Sequence, residues 1–380
     1  MPISGCYDFY IKKKVNLVNE KYMGLALELA KKGIGKVNPN PLVGAVIVKD
    51  DEIIGIGYHE QYGGPHAEVN AINNATKLLE GSTIYITLEP CAHYGKTPPC
   101  VNLIIEKKIK KVVIGMLDPN PMVSGKSVKK LKENDIEVIV GIEEEKCKKL
   151  NESFIKYITS NLPFVILKSA ISLDGKIATA IGESKWITSK EARRDGHLLR
   201  NKLSAIMVGV NTVIKDNPEL TCRIENGRNP IRIIVDSTLR IPLDSKIVNN
   251  SDRLTIVATT KYADKLKKQK LVNKGVRVIE IIDKNKKVDL KELMRYLGNL
   301  KIDSILIEGG GTLNFSALEE NIVDKVRFYI APKILGGETS KSSIGGQGFS
   351  KLSDAVKLRN LTYEKLSEEI VIEGYINKLK

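Results

Sequence analysis

Short apolar runs alternate with amphipathic stretches along the whole chain. Leu42–Val48 and Ile53–Tyr58 read as strands joined by the polar turn Lys49–Glu52, and Thr83–Leu88, Val112–Met116 and Glu137–Val140 continue the series. Between them, Lys21–Lys32 predicts a helix stopped by Gly33. His66–Leu79 carries Val69, Ile72, Ala75 and Leu79 at helical spacing, and Val101–Lys107 and Lys126–Glu133 read as short helices. The polar segment Thr159-Ser160-Asn161 before Pro163 marks a boundary, and beyond it the same grammar repeats. Strands are expected at Phe164–Ala170, Ala205–Val210, Ile231–Val235, Leu254–Ala258, Val276–Ile281 and Ser304–Ile307. Thr188-x-x-Glu191 is a capping-box pattern opening a helix over Ser189–Arg200. The fold class is therefore α/β, with helices on the faces of sheets. Two domains are expected, 19–161 and 162–380, after an N-terminal extension 1–18 that reads as a partly disordered lead-in.

Composition narrows the class. A chain of 380 residues, 42% hydrophobic, has enough apolar material for two cores. No stretch reaches the roughly 18 apolar residues of a membrane span, and the first residues show no apolar run before a small-residue cleavage site, so no secretory signal is expected. Five cysteines at irregular spacing, Cys6, Cys91, Cys100, Cys147 and Cys222, argue against a disulfide framework. They point instead to a reducing, cytoplasmic setting in which thiols are free to bind metal. The net charge of +15 raises the question of nucleic acid. However, the lysine runs Lys129–Lys132, Lys265–Lys270 and Lys284–Lys287 have no interleaved aromatics and read as solvated surface. Neither a nucleic-acid nor a membrane partner is expected; a locally basic site for a phosphorylated small molecule fits the charge.

The most specific chemistry lies in the first half. His66-Ala67-Glu68 is followed by Pro90-Cys91, and Cys100 comes nine positions after Cys91. A catalytic zinc takes three protein ligands and keeps one position for water, whose pKa it lowers. His66, Cys91 and Cys100 supply those ligands, and Glu68 supplies a carboxylate that moves the proton. With His66 and Glu68 in one first helical turn, both face one pocket; Cys91 and Cys100 are each expected to precede a helical turn that favours the thiolate. The alternative is a closed structural zinc site, for which only His93 offers a fourth ligand. The joint pattern H-A-E…P-C matches the zinc-deaminase signature, except that eight residues, not two, separate the cysteines.

That long cysteine loop, Pro90-Cys91-Ala92-His93-Tyr94-Gly95-Lys96-Thr97-Pro98-Pro99-Cys100, resembles the riboflavin-biosynthesis deaminase/reductase family. So do Asn38-Pro39-Asn40-Pro41-Leu42-Val43-Gly44 and Gly55-x-Gly-x-His59 with Gly63-Gly64-x-His66. The resemblance covers nearly the whole chain from about residue 20. It implies a cytidine-deaminase-like α/β/α domain followed by a dihydrofolate-reductase-like α/β domain. It further implies deamination of a diaminopyrimidinone bearing a ribosylamino 5′-phosphate, with Asn38, His59 and Lys96 lining the pyrimidine and phosphate pocket.

The second half supports the same likeness through Lys168-Ser-Ala-Ile-Ser-Leu-Asp-Gly-Lys176, Gly182-Glu183-Ser184-Lys185-Trp186, Gly209-Val210-Asn211-Thr212, Asp216-Asn217-Pro218 and Ile307-Glu308-Gly309-Gly310-Gly311-Thr312. That glycine turn lets backbone approach a ligand, but it is not G-x-G-x-x-G and is no Rossmann fingerprint. The resemblance implies that NADPH gives hydride to C1′ of the ribosyl group. It places the cofactor against Ala170, Trp186, Thr212, Asp216, Ser237, Gly310, Gly311, Thr312, Leu313, Asn314, Phe315 and Ser316. The phosphorylated substrate falls against Lys168, Ser184, Arg200, Leu220, Arg223 and Glu308, and a homo-oligomer, dimer or tetramer, is implied. Judged alone, Trp186 reads as a core residue. Two rivals remain at this point: a deaminase of RNA or nucleosides, and a non-enzymatic metal-binding protein.

Overall fold

A computed structural model describes residues 4–92, 94, 98–121 and 123–377, with side chains from residue 17 onward. Two compact units emerge, residues 1–160 and 161–380. Among the described residues no helix is long and apolar enough to cross a membrane, and Cys91, Cys100, Cys147 and Cys222 are free thiols.

The first unit runs α1 (Ser4–Lys31), β1 (Gly44–Lys49), β2 (Glu52–Tyr58), α2 (Ala67–Asn73), β3 (Thr83–Leu88), α3 (Cys100–Glu106), β4 (Lys111–Met116), α4 (Lys126–Lys132), β5 (Glu137–Val140), α5 (Glu144–Leu150) and α6 (Glu152–Ser160). Its sheet has the order β2-β1-β3-β4-β5. The β1 strand pairs antiparallel with both β2 and β3, and β3, β4 and β5 are parallel. Ala45, Val46, Ile47, Ile84, Ile86, Val112, Val113 and Ile114 are fully buried. Such unbroken apolar runs belong to strands covered on both faces.

Two boundaries depart from the sequence pattern. The helix expected from Lys21 begins at Ser4, because residues 6–23 hold neither glycine nor proline; the stretch read as a lead-in is its first half. The helix expected to reach Leu79 stops at Asn73. β2 is an edge strand, and its outer carbonyls need donors. Asn70 Nδ2 donates to Tyr58 O across 2.9 Å, Asn74 Nδ2 to Ile56 O across 3.1 Å, and the Thr76 N–H to Ile54 O across 2.8 Å. The chain leaves the helix to run along the strand, and Leu78 ends 84% exposed.

The second unit runs β6 (Phe164–Ser172), α7 (Lys190–Lys202), β7 (Ala205–Gly209), α8 (Val210–Asp216), β8 (Ile231–Val235), α9 (Lys246–Asn249), β9 (Thr255–Thr259), α10 (Lys265–Asn273), β10 (Arg277–Glu280), the hairpin β11 (Asp283–Lys284) and β12 (Lys287–Val288), α11 (Leu290–Asn299), β13 (Ser304–Ile307), α12 (Gly311–Glu319), β14 (Lys325–Ala331), β15 (Leu358–Leu366) and β16 (Glu369–Ile376). Its large sheet has the order β10-β9-β8-β7-β13-β6-β14-β16-β15. All pairs are parallel up to β14, and β16 and β15 add an antiparallel margin.

The α7 cap differs from the expected box. Ser189, not Thr188, caps the helix by accepting the Ala192 N–H across 3.2 Å. The carboxylate that reaches back to the cap is Glu369, from a strand 180 positions away. It accepts the Ser189 N–H at 2.5 Å and the Ser189 hydroxyl at 2.7 Å. A remote residue thus does the work that a capping box assigns to the third helical position.

Candidate active sites

In the first unit, β2 and α2 pack so closely that only glycine fits between them. A Cβ at Gly55 would sit 2.4 Å from Ala71 O, and one at Gly57 would sit 2.4 Å from Ala67 O. This contact fixes the start of α2, where His66 is the N-cap and Glu68 lies in the first turn. The β3 strand ends at Leu88, leading to Cys91, while Cys100 opens α3. The ligand atoms of His66, Cys91 and Cys100 all lie within 4.8 Å of one another. His66 Nδ1 is 3.3 Å from Cys100 Sγ and 3.6 Å from Cys91 Sγ. One imidazole and two thiols at these separations suit tetrahedral zinc with one open position.

Cys100 opens a helix as expected, while the helical turn expected after Cys91 falls on a segment whose residues 93 and 95–97 lie outside the described residues. The backbone N–H of Cys100 donates to Cys91 Sγ at 3.2 Å. The Cys91 thiol is held down to about 4, chiefly by the Cys100 thiol, while Cys91 and burial push the Cys100 thiol up. Metal binding draws both into the thiolate form.

Glu68 is 3% exposed, and its Oε2 has no hydrogen-bond partner among the described residues. Burial pushes its carboxyl up, opposed by His66. A buried carboxylate oxygen without a partner is costly, and beside the His66, Cys91 and Cys100 cluster this one is placed to meet a substrate or water proton. Behind the site, His59 Nδ1 lies 2.9 Å from Pro65 O, and Asn40 Nδ2 lies 3.0 Å from His59 Nε2. The natural assignment is a neutral ring donating from Nδ1 and accepting at Nε2. Burial lowers its pKa accordingly. The His59 ring stands edge-on to His66, with centroids 5.8 Å apart. Asn38 is half-buried in the turn that leads to Asn40. Lys96 and His93 lie outside the described residues.

Glu89 received no role from sequence. It is 3% exposed and accepts the N–H groups of Asp118, Gly125 and Ser127 and the Ser127 hydroxyl. It ties the segment leading to Cys91 to the 118–127 loop. Its place directly before Pro90-Cys91 was the one available signal.

In the second unit a cavity of about 960 Å³ opens where β7, β8 and β13 end. Of the expected residues, Ser184, Thr212, Asp216, Ser237, Gly310, Gly311, Thr312, Leu313 and Ser316 line it. Backbone fills the space beside Gly311, where a Cβ would meet Ser342 O at 2.6 Å. Gly310 is the N-cap of α12, so unpaired N–H groups and a helix start face a cavity of dinucleotide size. Asn314 and Phe315 do not line it: Asn314 Nδ2 donates to Ser343 O at 2.8 Å, and Phe315 packs on Phe349. Ala170 also lies off it, packed with Ala192, Tyr329 and Val371. Trp186 is no core residue. It is 60% exposed, with the Arg193 guanidinium 4.3 Å above its ring.

Of the expected substrate residues, Lys168, Arg200 and Glu308 form a charged cluster, whereas Ser184 lines the cavity. Arg200 Nε and Nη2 donate to both oxygens of Glu308 at 2.9 Å, and Arg200 Nη1 donates to Thr221 O at 2.8 Å. Lys168 Nζ lies 3.9 Å from Glu308. Burial alone would raise the Glu308 carboxyl, but Arg200 and Lys168 outweigh it and hold it at about 2. His197, which sequence did not single out, accepts the Arg223 N–H on Nδ1 at 3.3 Å. Leu220 is buried nearby in the chain, at φ 53°.

Comparison with known proteins decides between the readings left open. Residues 17–116 match the cytidine and deoxycytidylate deaminase zinc-binding region, and residues 163–372 match the RibD C-terminal domain. The chain is 48% identical over 352 residues to riboflavin biosynthesis protein RibD of Actinobacillus pleuropneumoniae, covering 93% of this chain and 94% of that one.

The chain belongs to the RibD family.

The RibD protein of Escherichia coli is 40% identical, across 90% of this chain and 95% of its own. Among solved structures, Acinetobacter baumannii RibD superposes with TM-score 0.84 at 39% identity, covering 95% of this chain and 99% of that one. The diaminohydroxyphosphoribosylaminopyrimidine deaminase/5-amino-6-(5-phosphoribosylamino)uracil reductase of Thermotoga maritima gives 0.82 at 41% identity, with coverage of 95% and 99%. The protein is a bifunctional deaminase and reductase of riboflavin biosynthesis, with a cytidine-deaminase-like first unit that uses zinc and a RibD-type, dihydrofolate-reductase-like second unit that uses NADPH.

Proposed function

We propose that the first unit deaminates 2,5-diamino-6-(5-phosphoribosylamino)pyrimidin-4(3H)-one and that the second reduces the ribosyl group of the product to ribityl. The observation that carries the first half is the buried, unpartnered Glu68 Oε2 beside the His66, Cys91 and Cys100 cluster. Bound zinc supplies the Lewis acidity that makes a water acidic enough to attack near neutral pH. As the water oxygen bonds to the ring carbon, Glu68 would take one of its protons and deliver it to the exocyclic amine, and the second proton would end on the adjacent ring nitrogen. The carbon–nitrogen bond breaks, ammonia leaves, and a ring carbonyl remains. Burial raises the Glu68 carboxyl toward the range where it both accepts and donates. His59, kept neutral by burial, binds the substrate together with Asn38 and Lys96.

In the second unit, bound NADPH supplies the hydride. The Gly310–Gly311 turn, Thr212, Asp216 and Ser237 hold the dinucleotide in the 960 Å³ cavity. Lys168, Arg200, Arg223, Ser184 and Leu220 receive the phosphorylated substrate; guanidinium groups suit its phosphate. Glu308 holds Arg200 in place through both guanidinium bonds. The enzyme works in the cytoplasm as a homo-oligomer on a small phosphorylated pyrimidine, with no nucleic-acid partner.

The test is one cuvette holding zinc-loaded protein, the diaminopyrimidinone phosphate and NADPH. Ammonia should appear first and NADPH oxidation should follow. Ammonia without NADPH oxidation sinks the reductase half; neither signal sinks the substrate assignment.

A further inference from the structure

The first-unit sheet is entered through the turn that carries Asn38 and Asn40, and β1 begins only at Gly44. In extended backbone, successive residues turn their N–H and C=O groups to alternate sides. Val43 faces β2, where its carbonyl accepts the His59 N–H at 2.9 Å. Gly44 faces β3, and its N–H donates to Thr87 Oγ1 at 3.2 Å. Leu42 faces the β3 side as well. The register Ala45↔Ile86 sets it opposite Glu89, past the end of β3 at Leu88, and the Glu89 N–H is given to Met116 O on β4. Buried backbone groups need partners, and at Leu42 the sheet has run out of strand to supply them. The side chain of Asn151 takes that place. Its Oδ1 accepts the Leu42 N–H at 2.8 Å and its Nδ2 donates to Leu42 O at 3.0 Å, across 109 positions of sequence. One amide offers a donor and an acceptor in a fixed plane, as a strand residue does.

Asn151 is itself fixed. It is 3% exposed and is the C-cap of α5, its backbone N–H donating to Cys147 O at 3.2 Å. Leu150 beside it packs with Ala30, Val37 and Leu42. What this clamp holds is a wall of the deaminase pocket. Asn40, two residues before Leu42, brings Nδ2 to 3.0 Å from His59 Nε2. His59 is thus joined to the clamped segment twice, by its backbone at Val43 and by its ring at Asn40. A shift of Leu42 moves both anchors and the His59 ring with them. The His66, Cys91 and Cys100 cluster rests on α2, the end of β3 and α3, so substrate binding and metal content are separable.

We infer that Asn151 is a positioning residue of the deaminase: its side-chain amide stands in for a missing strand and sets the Asn38–Asn40 turn and the His59 ring against the pyrimidine substrate. This rests on reading His59 and Asn38 as substrate contacts, and the experiment separates the two. Ammonia release by full-length, zinc-loaded protein with the diaminopyrimidinone phosphate gives KM and kcat. Asn151→Asp keeps the size and the acceptor for the Leu42 N–H but turns a second acceptor oxygen toward Leu42 O. Its KM should rise about tenfold, the worth of one buried hydrogen bond. Its kcat should stay within about threefold, because binding and not chemistry is lost. Bound zinc, and NADPH oxidation with the deaminated intermediate supplied, should stay parental. Asn151→Ala sets no carboxylate against a carbonyl; it should raise KM in the same direction and decides the matter should the aspartate variant not fold. Asn19→Ala removes a different buried bond of the same unit, from Tyr85 Oη to Asn19 Oδ1 at 3.1 Å, and should lose stability with a parental KM. His59→Ala should raise KM by about tenfold or more. If His59→Ala keeps the parental KM, the reading of the pocket fails. If it raises KM while both Asn151 variants keep the parental value, or if Asn19→Ala raises KM as much as they do, the positioning role alone is overturned.

Discussion

The backbone N–H of Cys100 donates to the sulfur of Cys91 across 3.2 Å. Cys100 opens α3, whose first N–H groups have no partner within the helix. If both cysteines hold the zinc, as proposed, Cys100 provides one ligand and its N–H satisfies the other. Cys100→Ser keeps the N–H but removes a thiolate. Zinc affinity, measured by chelator competition, should fall by more than about 100-fold, since outer-shell partners alone account for 10–100-fold. Cys222→Ser should leave zinc content unchanged, and a matching loss there would contradict the ligand assignment.

Gly57 is where β2 and α2 touch. Alanine there puts a Cβ 2.3 Å from Ala71 N and 2.4 Å from Ala67 O, both backbone atoms that cannot swing aside. Overpacking of this kind costs about 1–3 kcal/mol, and the displaced element carries His66 and Glu68. Gly57→Ala should lower the urea midpoint of the first unit and reduce bound zinc per chain. Full zinc occupancy with parental stability would show that α2 is not held by this contact.

Glu308 and Arg200 are both mostly buried, with side chains 12% and 15% exposed. Removing one partner strands a buried charge. Glu308→Ala should destabilise the second unit by about 3 kcal/mol, read by denaturant unfolding. Substrate affinity in the reductase step should fall with it, because Arg200 loses both bonds that aim it. Unchanged unfolding would mean water or the neighbouring cluster takes over the carboxylate's role.

His197 provides a pH test. Burial, then Arg200 and Arg223, with Lys168 adding and Glu308 opposing, lowers its pKa from 6.5 to about 4. The folded ring therefore stays neutral where the unfolded ring takes a proton, and its contribution to stability is complete above about 6.5 and lost as pH falls toward 4. Across that window His197→Gln, which still offers an acceptor to the Arg223 N–H, should lose less thermal midpoint than the parent. Parallel curves for the two proteins would remove His197 as the source.

Much of this was legible in the sequence where one local signal decided the outcome. Thr83–Leu88, Glu137–Val140, Ile231–Val235 and Ser304–Ile307 are strands over the expected spans, because apolar β-branched runs between polar turns have no competing period. The three metal ligands and Glu68 came from spacing, and the fold gathers the ligands. What stayed hidden depends on distant partners. The 180-position contact from Glu369 to Ser189 moved the α7 cap by one residue. The open carbonyls of edge strand β2 ended α2 early despite well-spaced Ala75 and Leu79. Trp186 looked like core from its type, but it lies 60% exposed under Arg193. Arg240 and Lys287 carry no motif, and contacts such as the Val288–Ser237 bond bring their segments to one wall of the second-unit cavity.

The central claim is that Glu68 moves the proton in the first reaction and takes no part in the second. Glu68→Gln, assayed separately for bound zinc, ammonia release and NADPH oxidation with the deaminated intermediate supplied, tests it most directly. Full zinc content, ammonia release reduced by about 10²–10⁴-fold and parental NADPH oxidation are the expected result. Ammonia released at the parental rate by the zinc-loaded variant would contradict it.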